Sequence, residues 1–298
     1  MLYFSKMTGI GNDYVYINCM DVKMNLNVKT DIEILKNNIT KFTKKISNRN
    51  FGVGSDGIIL IENSNIADAK MRIFNSDGSE AKMCGNGIRC VGKYLYDNYI
   101  VSKKYMKIET LSGVKDITIN TSKYNSSTCD TVQVNMGIPS IDAKKICLKL
   151  DGENMIKEVN LKVLKKVLKL YITGIGNLHA VCFVENVENT DVRAYGSAIE
   201  KNSIFKDGIN VEFVEIISND TIKMRVWERG SGETLACGSG ACASAFVSYY
   251  LKKISNSKIN VKLLGGNLNI RIDSNFYVYM CGDASYCFDG KLEIEKYV

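Results

Sequence analysis

Several features that mark other protein classes are missing from this chain of 298 residues. Ten cysteines are present, but none form a Cys-x-x-Cys pair, and a single histidine gives little support for a structural zinc site. No uninterrupted apolar run approaches the roughly 20 residues that cross a bilayer. Residues 1–20 lack the basic and apolar regions of a secretory signal. We therefore expect a cytoplasmic protein with reduced cysteines, no metal and no membrane partner.

Cofactor and nucleic-acid signatures are also missing. No Gly-x-Gly-x-x-Gly motif follows a predicted strand and no Gly-x-x-x-x-Gly-Lys-Ser/Thr loop occurs, so we expect no cofactor. The net charge of +7 comes from lysines scattered among acidic residues, without the interleaved aromatic residues of a base-stacking surface. The densest basic stretch, 157–169, alternates Lys with Val and Leu, which predicts a strand or helix with one solvated face. We expect no nucleic-acid partner.

The chain does contain a repeated set of short motifs. Gly-Ile-Gly-Asn occurs at 9–12 and again at 174–177, each time before an apolar stretch that favours a strand. Cys84 and Cys237 each begin a Cys-Gly-x-Gly motif, and each lies four residues after a glutamate. Two glycine-rich motifs in the same order indicate an internal duplication.

The apolar spacing predicts an α+β fold of many short strands around two central helices. One helix follows each motif cysteine, and the spacing of apolar residues over 32–46 predicts a further amphipathic helix, capped by Thr30 or Asp31. The only proline, Pro139, lies near the expected passage between the halves. Predicted strands cover 15–17, 58–61, 71–74, 107–111, 132–134, 181–184, 211–217 and 222–227.

The two motif cysteines are candidates for acid–base chemistry. Each precedes a predicted helix, where backbone N–H groups and the helix dipole lower a thiol pKa and favour the thiolate. The neighbouring glycines allow a carboxylate to approach the backbone closely. A lone cysteine at a helix start is more often a small buried residue, but two in matched loops favour function. Because two groups acting on opposite faces of a carbon invert it, the pair suggests racemisation or epimerisation.

Supporting residues follow from their places in the motifs. His179 is the only histidine and stands beside the second Gly-Ile-Gly-Asn motif, so it is a candidate proton partner, although a lone histidine is commonly structural. Asn75 and Glu228 each lie nine residues before a motif cysteine. Glu228 is a candidate to tune Cys237, and Arg229 to hold a carboxylate. The alternative for Glu228 and Arg229 is a surface ion pair of little energetic value.

Three asparagines allow two interpretations. They tolerate left-handed backbone and fit turns, and their amides equally suit the ammonium and carboxylate groups of an amino acid. The residues are Asn12, Asn177 and Asn210.

These motifs closely resemble those of the diaminopimelate epimerase family over nearly the whole chain. The matching segments are GIGNDYVYIN (9–18), NRNFGVGSDGIILIE (48–62), MRIFNSDGSEAKMCGNGIRC (71–90), GIGNLHAVCFV (174–184), NVEFV (210–214) and RVWERGSGETLACGSGACA (225–243). The resemblance implies conversion of LL-2,6-diaminopimelate to the meso form, in lysine and peptidoglycan precursor biosynthesis, without pyridoxal phosphate or metal. It also implies two pseudo-symmetric lobes, each a barrel-like β-sheet around a central helix, with the last strand returning to the first lobe.

The resemblance also implies roles for individual residues. Cys84 and Cys237 would be the paired acid and base, supported by His179 and Glu228. Leu178 stands where the family usually has proline, and the stretch 141–171 matches weakly. The implied substrate-binding residues are Asn12, Asn75, Gly85, Asn86, Asn177, Asn210, Glu228, Arg229, Gly238 and Ser239.

We expect residues 1–135 with 283–298 to form the lobe carrying Cys84, and residues 136–282 the lobe carrying Cys237. The expected partner is a small amino-acid substrate, and a homodimer is compatible with the sequence. Two alternatives stay open. One is a racemase of another amino acid on the same scaffold, and the other is a redox switch that uses Cys84 and Cys237 as a reversible thiol pair.

Overall fold

The computed structural model describes residues 1–20, 26–122, 126–142, 144, 146–147 and 155–298, and they confirm the α+β class. None of the helices in these ranges has the length and apolar character needed to cross a bilayer. In chain order the elements are β1 (Leu2–Gly9), β2 (Asn12–Asn18), α1 (Leu26–Asn37), α2 (Ile39–Ser47), β3 (Gly57–Glu62), β4 (Ala69–Asn75), β5 (Glu80–Ala81), α3 (Gly85–Asp97), β6 (Tyr105–Thr110), β7 (Gly113–Thr121), β8 (Cys129–Gly137), β9 (Lys157–Val163), β10 (Lys166–Ile175), β11 (Asn177–Phe183), α4 (Val192–Glu200), β12 (Asn210–Ile216), β13 (Thr221–Glu228), β14 (Gly232–Thr234), α5 (Gly238–Tyr250), β15 (Lys258–Leu263), β16 (Gly266–Ile272), β17 (Val278–Asp283) and β18 (Ser285–Leu292).

The chain divides into two compact units. The first lobe comprises Met1–Val134 and Gly282–Val298, and the second comprises Asn135–Cys281. The first lobe is therefore discontinuous in sequence, because the chain returns to it at its C-terminal end.

In the first lobe the strands pair in the order β18, β1, β2, β3 and β4. Strand β4 then pairs with both β5 and β6, and β6 continues through β7 to β8. Helix α3 packs on β1, β2 and β7, while α2 packs on β3 and β4. Because successive side chains of a strand alternate between faces, the sheet buries Tyr14, Tyr16 and Ile59 on one face and Val15 and Ile58 on the other.

The second lobe repeats this topology. Its strands pair in the order β9, β10, β11, β12 and β13, then β14 and β15 on β13, then β16 and β17. The parallel pairs fall at the same places, β2–β3 with β11–β12 and β4–β6 with β13–β15. Helix α5 packs on β10 to β13, and α4 packs on β12 and β13. The matched order of strands and central helices confirms the internal duplication.

Strand registers make individual positions of the two lobes equivalent. Tyr16 is paired with Ile59 in the first lobe, as Val181 is paired with Glu212 in the second. Counting back along β2 and β11, Tyr14 is equivalent to His179.

The amphipathic segment over 32–46 differs from its prediction. It forms two helices, α1 and α2, and the break falls at Asn38, whose backbone has φ −122° and ψ 23°. The Asn38 side chain donates to the Ile34 carbonyl at 3.0 Å, and the Asn38 backbone N–H donates to the Leu35 carbonyl at 3.1 Å. An asparagine side chain that competes for the backbone ends α1 in this way.

The basic stretch at 157–169 forms strands, one of the two predicted outcomes. Strands β9 and β10 make a hairpin whose turn includes Leu164 at φ +54°. Exposed and partly buried residues alternate along β9, as expected for a strand with one solvated face. Residues 143, 145 and 148–154 of the weakly matching stretch lie outside the described residues.

Candidate active site

Both motif cysteines begin a central helix, as predicted. Cys84 and Cys237 are the N-cap residues of α3 and α5, with extended backbone at φ −133° and −118°. Each sulfur accepts a backbone hydrogen bond from the first helical turn, from Gly87 at 3.3 Å and from Gly240 at 3.4 Å. N–H groups of a first turn lack intrahelical acceptors and favour negative charge at the cap. Each lobe therefore holds one sulfur at the positive end of its central helix.

In the first lobe, Cys84 lies against the end of the β1–β2 hairpin. Its thiol donates to Asn12 Oδ1 at 3.3 Å, and the Asn12 amide donates to Asp56 at 2.7 Å. Asp56 is also 2.9 Å from Arg49, so the Asn12 amide is held in one orientation. The Tyr14 hydroxyl contacts both Asn12 and Cys84. Burial raises the pKa of Tyr14, as do the charges of Cys84 and Asp56, so the phenol stays a proton donor.

A buried arginine braces the start of α3. Arg89 has no exposed surface, and its guanidinium donates to the Gly85 carbonyl at 3.2 Å and to Asn86 Oδ1 at 3.0 Å. It also donates to the Asp283 carbonyl at 3.2 Å, at the return of the chain to this lobe. The Asn86 side chain is thus held by a buried contact with Arg89.

Asn75 lies in a turn at the end of β4. Its amide donates to Ser79 Oγ at 3.1 Å, and its carbonyl accepts from Gly78 at 2.7 Å. These contacts of Asn75 are with its own turn. Its role as a substrate ligand therefore stays a prediction.

Cys237 departs from the sequence expectation of a lowered thiol pKa. It is 5% exposed. Burial raises its pKa well above the ordinary value, and the negative charges of Glu228 and Glu212 raise it further. Hydrogen bonds from Ser239 and Gly240 act in the opposite direction but do not offset these causes. The helix start alone therefore does not lower the pKa of this thiol, because burial and the two carboxylates act more strongly in the opposite direction.

Glu228 lies at the end of β13 beside this thiol. Burial raises its pKa, while hydrogen bonds with Thr234 and Cys237 act to lower it. Thr234 donates to Glu228 Oε1. The side chain of Glu228 is therefore a contact of Cys237, and the surface ion pair with Arg229 is not found among the described residues.

The single histidine is completely buried in the second lobe. His179 Nδ1 is 2.6 Å from Glu212 Oε1, and Nε2 is 2.9 Å from Asn177 Oδ1. Both His179 and Glu212 have no exposed surface. The histidine thus connects a buried carboxylate to Asn177 of the second Gly-Ile-Gly-Asn motif.

A small pocket of about 30 Å³ opens in the second lobe at Asn177, the residue that contacts His179. Three predicted substrate-binding residues, Asn177, Asn210 and Arg229, line it together with Asp207, Gly208, Ile209 and Leu178. Asn210 Oδ1 accepts from the Arg229 backbone at 2.8 Å, and the Arg229 guanidinium donates to the Asp207 carbonyl at 3.0 Å. The structure therefore brings these three residues together within one lobe.

Tyr14 and Glu212 are two of the site residues that were not predicted from the sequence. Tyr14 could have been found by aligning the two Gly-Ile-Gly-Asn motifs, because it then falls opposite His179. Glu212 lies two residues after Asn210 on the same strand, and residues i and i+2 of a strand share a face. A carboxylate among the apolar residues 211–214 was the signal that could have pointed to a functional role for Glu212.

Solved structures define the class of this fold. A probable proline racemase from Agrobacterium radiobacter aligns with a TM-score of 0.68 at 13% identity, over 98% of this chain and 93% of that one. A phenazine biosynthesis protein of the PhzF family from Bacillus anthracis aligns with a TM-score of 0.64 at 15% identity, over 98% and 99%. The chain therefore has the duplicated fold of the proline racemase and PhzF class.

Sequence comparison identifies the family within this class. Residues 4–141 and 171–287 match the family model of diaminopimelate epimerase. The diaminopimelate epimerase of Acetivibrio thermocellus is 43% identical over 296 residues, which cover 98% of this chain and 99% of that protein. The chain belongs to the diaminopimelate epimerase family, and the resemblance inferred from its motifs is confirmed.

Proposed function

We propose that this protein is an isomerase that converts LL-2,6-diaminopimelate to meso-diaminopimelate, in lysine and peptidoglycan precursor biosynthesis. The observation that carries the proposal is a family match over nearly the whole chain, combined with one thiol at the start of each central helix. The paired thiols supply the acid and the base that inversion at an α carbon requires.

The proposed reaction transfers one proton at each face of the α carbon. A thiolate removes the α-proton and becomes a thiol, leaving the electron pair on the substrate carbon and its carboxylate. A thiol on the other face then donates its proton to that carbon and becomes a thiolate. Nothing is oxidised or reduced, and the charge moves from one sulfur to the other.

We propose starting roles for the two sulfurs from their surroundings. Cys237 is held as a thiol by burial and by two carboxylates, so it starts as the acid. We propose Cys84 as the starting base, because the Gly87 N–H at the start of α3 donates to its sulfur and the Tyr14 hydroxyl contacts it. These roles apply to the isomer that binds when Cys84 is the thiolate and Cys237 the thiol. For the other isomer the two cysteines exchange roles.

The weakly acidic α-proton needs stabilisation of the charge that develops when it is removed. The first turns of α3 and α5, with Gly85, Asn86, Gly238 and Ser239, offer backbone N–H groups to the reacting carboxylate. The pocket beside Asn177, Asn210 and Arg229 is our candidate for the distal amino-acid group of the substrate. An amide pair and a guanidinium match a carboxylate and an ammonium group. This distal recognition separates diaminopimelate from amino acids with a single charged end.

We further propose that the protein acts in the cytoplasm without pyridoxal phosphate or metal, and that it forms a homodimer. Biosynthesis of a soluble amino acid and ten free cysteines both support a reducing compartment.

The activity is tested by incubating reduced protein with LL-diaminopimelate in heavy water and following α-deuterium by mass spectrometry. We expect deuterium uptake with meso product, and a loss of at least about 10³-fold in Cys84→Ala and in Cys237→Ala, as is typical when an acid–base residue is removed. Cys147→Ala is the matched control, because Cys147 is exposed. Folded wild type that takes up no deuterium would overturn the assignment and direct the test to other amino acids.

A further inference from the structure

Glu212 is a buried carboxylate to which the two-thiol reaction gives no role. It has no exposed surface, and Oε1 lies 2.6 Å from His179 Nδ1. Within the described part of the chain, Oε2 has no hydrogen-bond partner. A buried carboxylate with one oxygen unsatisfied is unfavourable for folding, so its presence in the core of this lobe requires another explanation.

This carboxylate touches the first turn of the helix that begins at Cys237. A methyl group built on Gly240 would lie 2.6 Å from Glu212 Oε1. The backbone N–H of the same Gly240 donates to Cys237 Sγ at 3.4 Å. Glu212 thus lies directly below the turn that holds the catalytic sulfur.

The first lobe shows that the fold does not need a carboxylate here. Ile59 occupies the equivalent position on β3, and a methyl group built on Gly87 would lie 2.6 Å from its Cδ1 atom. The residue equivalent to His179 in that lobe is Tyr14. The carboxylate and the histidine therefore occur together in the second lobe, and an isoleucine and a tyrosine occur together in the first.

We propose that Glu212 is a positioning residue for epimerisation, which fixes the ring orientation and the proton positions of His179 beneath the Cys237 helix. The two partner atoms of the ring, Glu212 Oε1 and Asn177 Oδ1, are both acceptors. A ring that satisfies both carries a proton on each nitrogen. Its Nε2–H then points to Asn177 at the pocket, and the carboxylate compensates the charge of the ring.

The charged groups around Cys237 support this arrangement. Glu212 on β12 and Glu228 on β13 both act on Cys237 by charge, and His179 on β11 acts by charge on Glu228. The charge of Glu212 is one cause that raises the pKa of Cys237, after burial and Glu228. Glu212 therefore acts on the reaction through two neighbours, and it does not need to touch substrate.

The single histidine makes a direct spectroscopic test feasible. In full-length protein labelled with ¹⁵N-histidine, every histidine signal comes from His179. We expect the nitrogen shifts of wild type at neutral pH to show protons on both Nδ1 and Nε2. An Nδ1 atom without a proton would overturn the proposal, and this result does not depend on the substrate or on any variant.

Variants separate the charge of Glu212 from its packing. In Glu212→Gln we expect kcat to fall about 10- to 100-fold with KM within about threefold, by analogy with the loss seen when the partner that orients a metal-bound histidine is removed. The same variant should lose a ring proton in the nitrogen spectrum. Glu212→Ile, which copies the first lobe, should show the same losses. Glu215→Gln is the control, since Glu215 is on the same strand and accepts from the Val187 backbone at 2.9 Å.

Wild-type kcat and an unchanged nitrogen spectrum in folded Glu212→Gln would overturn the positioning role. The kinetic arm rests on the proposed function, whereas the spectroscopic arm does not. An inactive wild type with a doubly protonated His179 would therefore count against the proposed function, and only the effect of Glu212 on the protons of the His179 ring would stay supported.

Discussion

Cys84 and Cys237 share a motif and a position at a helix start, yet their neighbours differ in charge. Cys84 is next to an amide and a phenol, and the first turn of its helix is braced by the buried Arg89. Cys237 has the carboxylates of Glu228 and Glu212 as neighbours. The duplication thus preserves the geometry of a thiol at a helix start, while the charged and polar groups around the two thiols differ.

Alkylation should reveal the protonation state of Cys237 in the absence of substrate. Because burial and then Glu228 raise its pKa, the thiolate forms only at alkaline pH. Removal of one negative charge in Glu228→Gln should move the midpoint of iodoacetamide labelling to lower pH. Mass spectrometry of the peptides measures the labelling, with the exposed Cys147 and Cys287 as references in the same sample. A midpoint that stays in place or rises would contradict this effect of Glu228.

Glu228 should also control the acidic limb of the activity profile. Burial raises its pKa and the hydrogen bond with Thr234 opposes that rise. In Thr234→Val the pKa should rise further, so activity should begin to fall at a higher pH as the solution is acidified. Deuterium uptake measured from pH 5 to 9 tests this, in a range where carboxylates with raised pKa titrate. Thr221→Val is the control, because its hydroxyl contacts Asp220 on the exposed end of β13. An unshifted acidic limb would exclude Glu228 as the titrating group.

At this scale the sequence led to both cysteines but not to the Glu212 carboxylate beside Cys237. The helix-start argument treats Cys84 and Cys237 alike, since it uses only local backbone geometry. Glu212 reaches the second site from β12, and it contacts His179 of β11 across 33 residues of sequence. Such a contact depends on strand pairing and register, and neither is encoded in the motif itself.

The central helices depend on close contact between their first turn and the sheet. Gly87→Ala would place a methyl group 2.6 Å from Ile59 Cδ1, and we expect it to lower the free energy of unfolding by about 1–3 kcal/mol, as overpacked cores do. Urea denaturation measures this loss.

A second variant tests whether that contact is the cause. Ile59→Val removes the Cδ1 atom, so Gly87→Ala should be less costly in the Ile59→Val background than in wild type. Equal costs in the two backgrounds would mean that another contact destabilises the alanine variant.

At the scale of elements, strand positions followed from short apolar runs, whereas element boundaries depended on single residues. The strand at 132–134 extends to Cys129–Gly137, and that at 15–17 begins at Asn12. Polar residues at strand ends form backbone hydrogen bonds with the neighbouring strand, and a pattern of apolar side chains does not detect them. The break between α1 and α2 depends on one Asn38 side chain that bonds to the backbone.

At the scale of the molecule, the repeated topology gives each lobe its own core. One buried cluster includes Val15, Ile58 and Phe74 with α1 and α2, and another includes Ala180, Val211 and Phe213 with α4. Strands β17 and β18 are separated only by Ala284, yet β17 pairs with β16 of the second lobe and β18 with β1 of the first.

Hydrogen exchange should separate these two neighbouring strands. Phe213→Ala removes a side chain that is 1% exposed in the second core and should cost about 3–5 kcal/mol. We expect peptides of β17 to lose protection with β12 and β16, while peptides of β18 keep theirs, because locally cooperative units lose protection together. Equal loss of protection in β17 and β18 would show that the two lobes unfold as one unit.

The return of β18 to β1 has a consequence for synthesis on the ribosome. The second lobe is continuous and is complete once residue 281 has emerged, whereas the first lobe, begun earlier, still lacks the strand that covers β1. At about 5–20 residues per second, the first lobe exposes an edge strand for about 8–30 s before β18 arrives. The last lobe to be translated is therefore the first that is able to finish folding. The N-terminal lobe is the one whose exposed edge strand needs protection from pairing with other chains during synthesis.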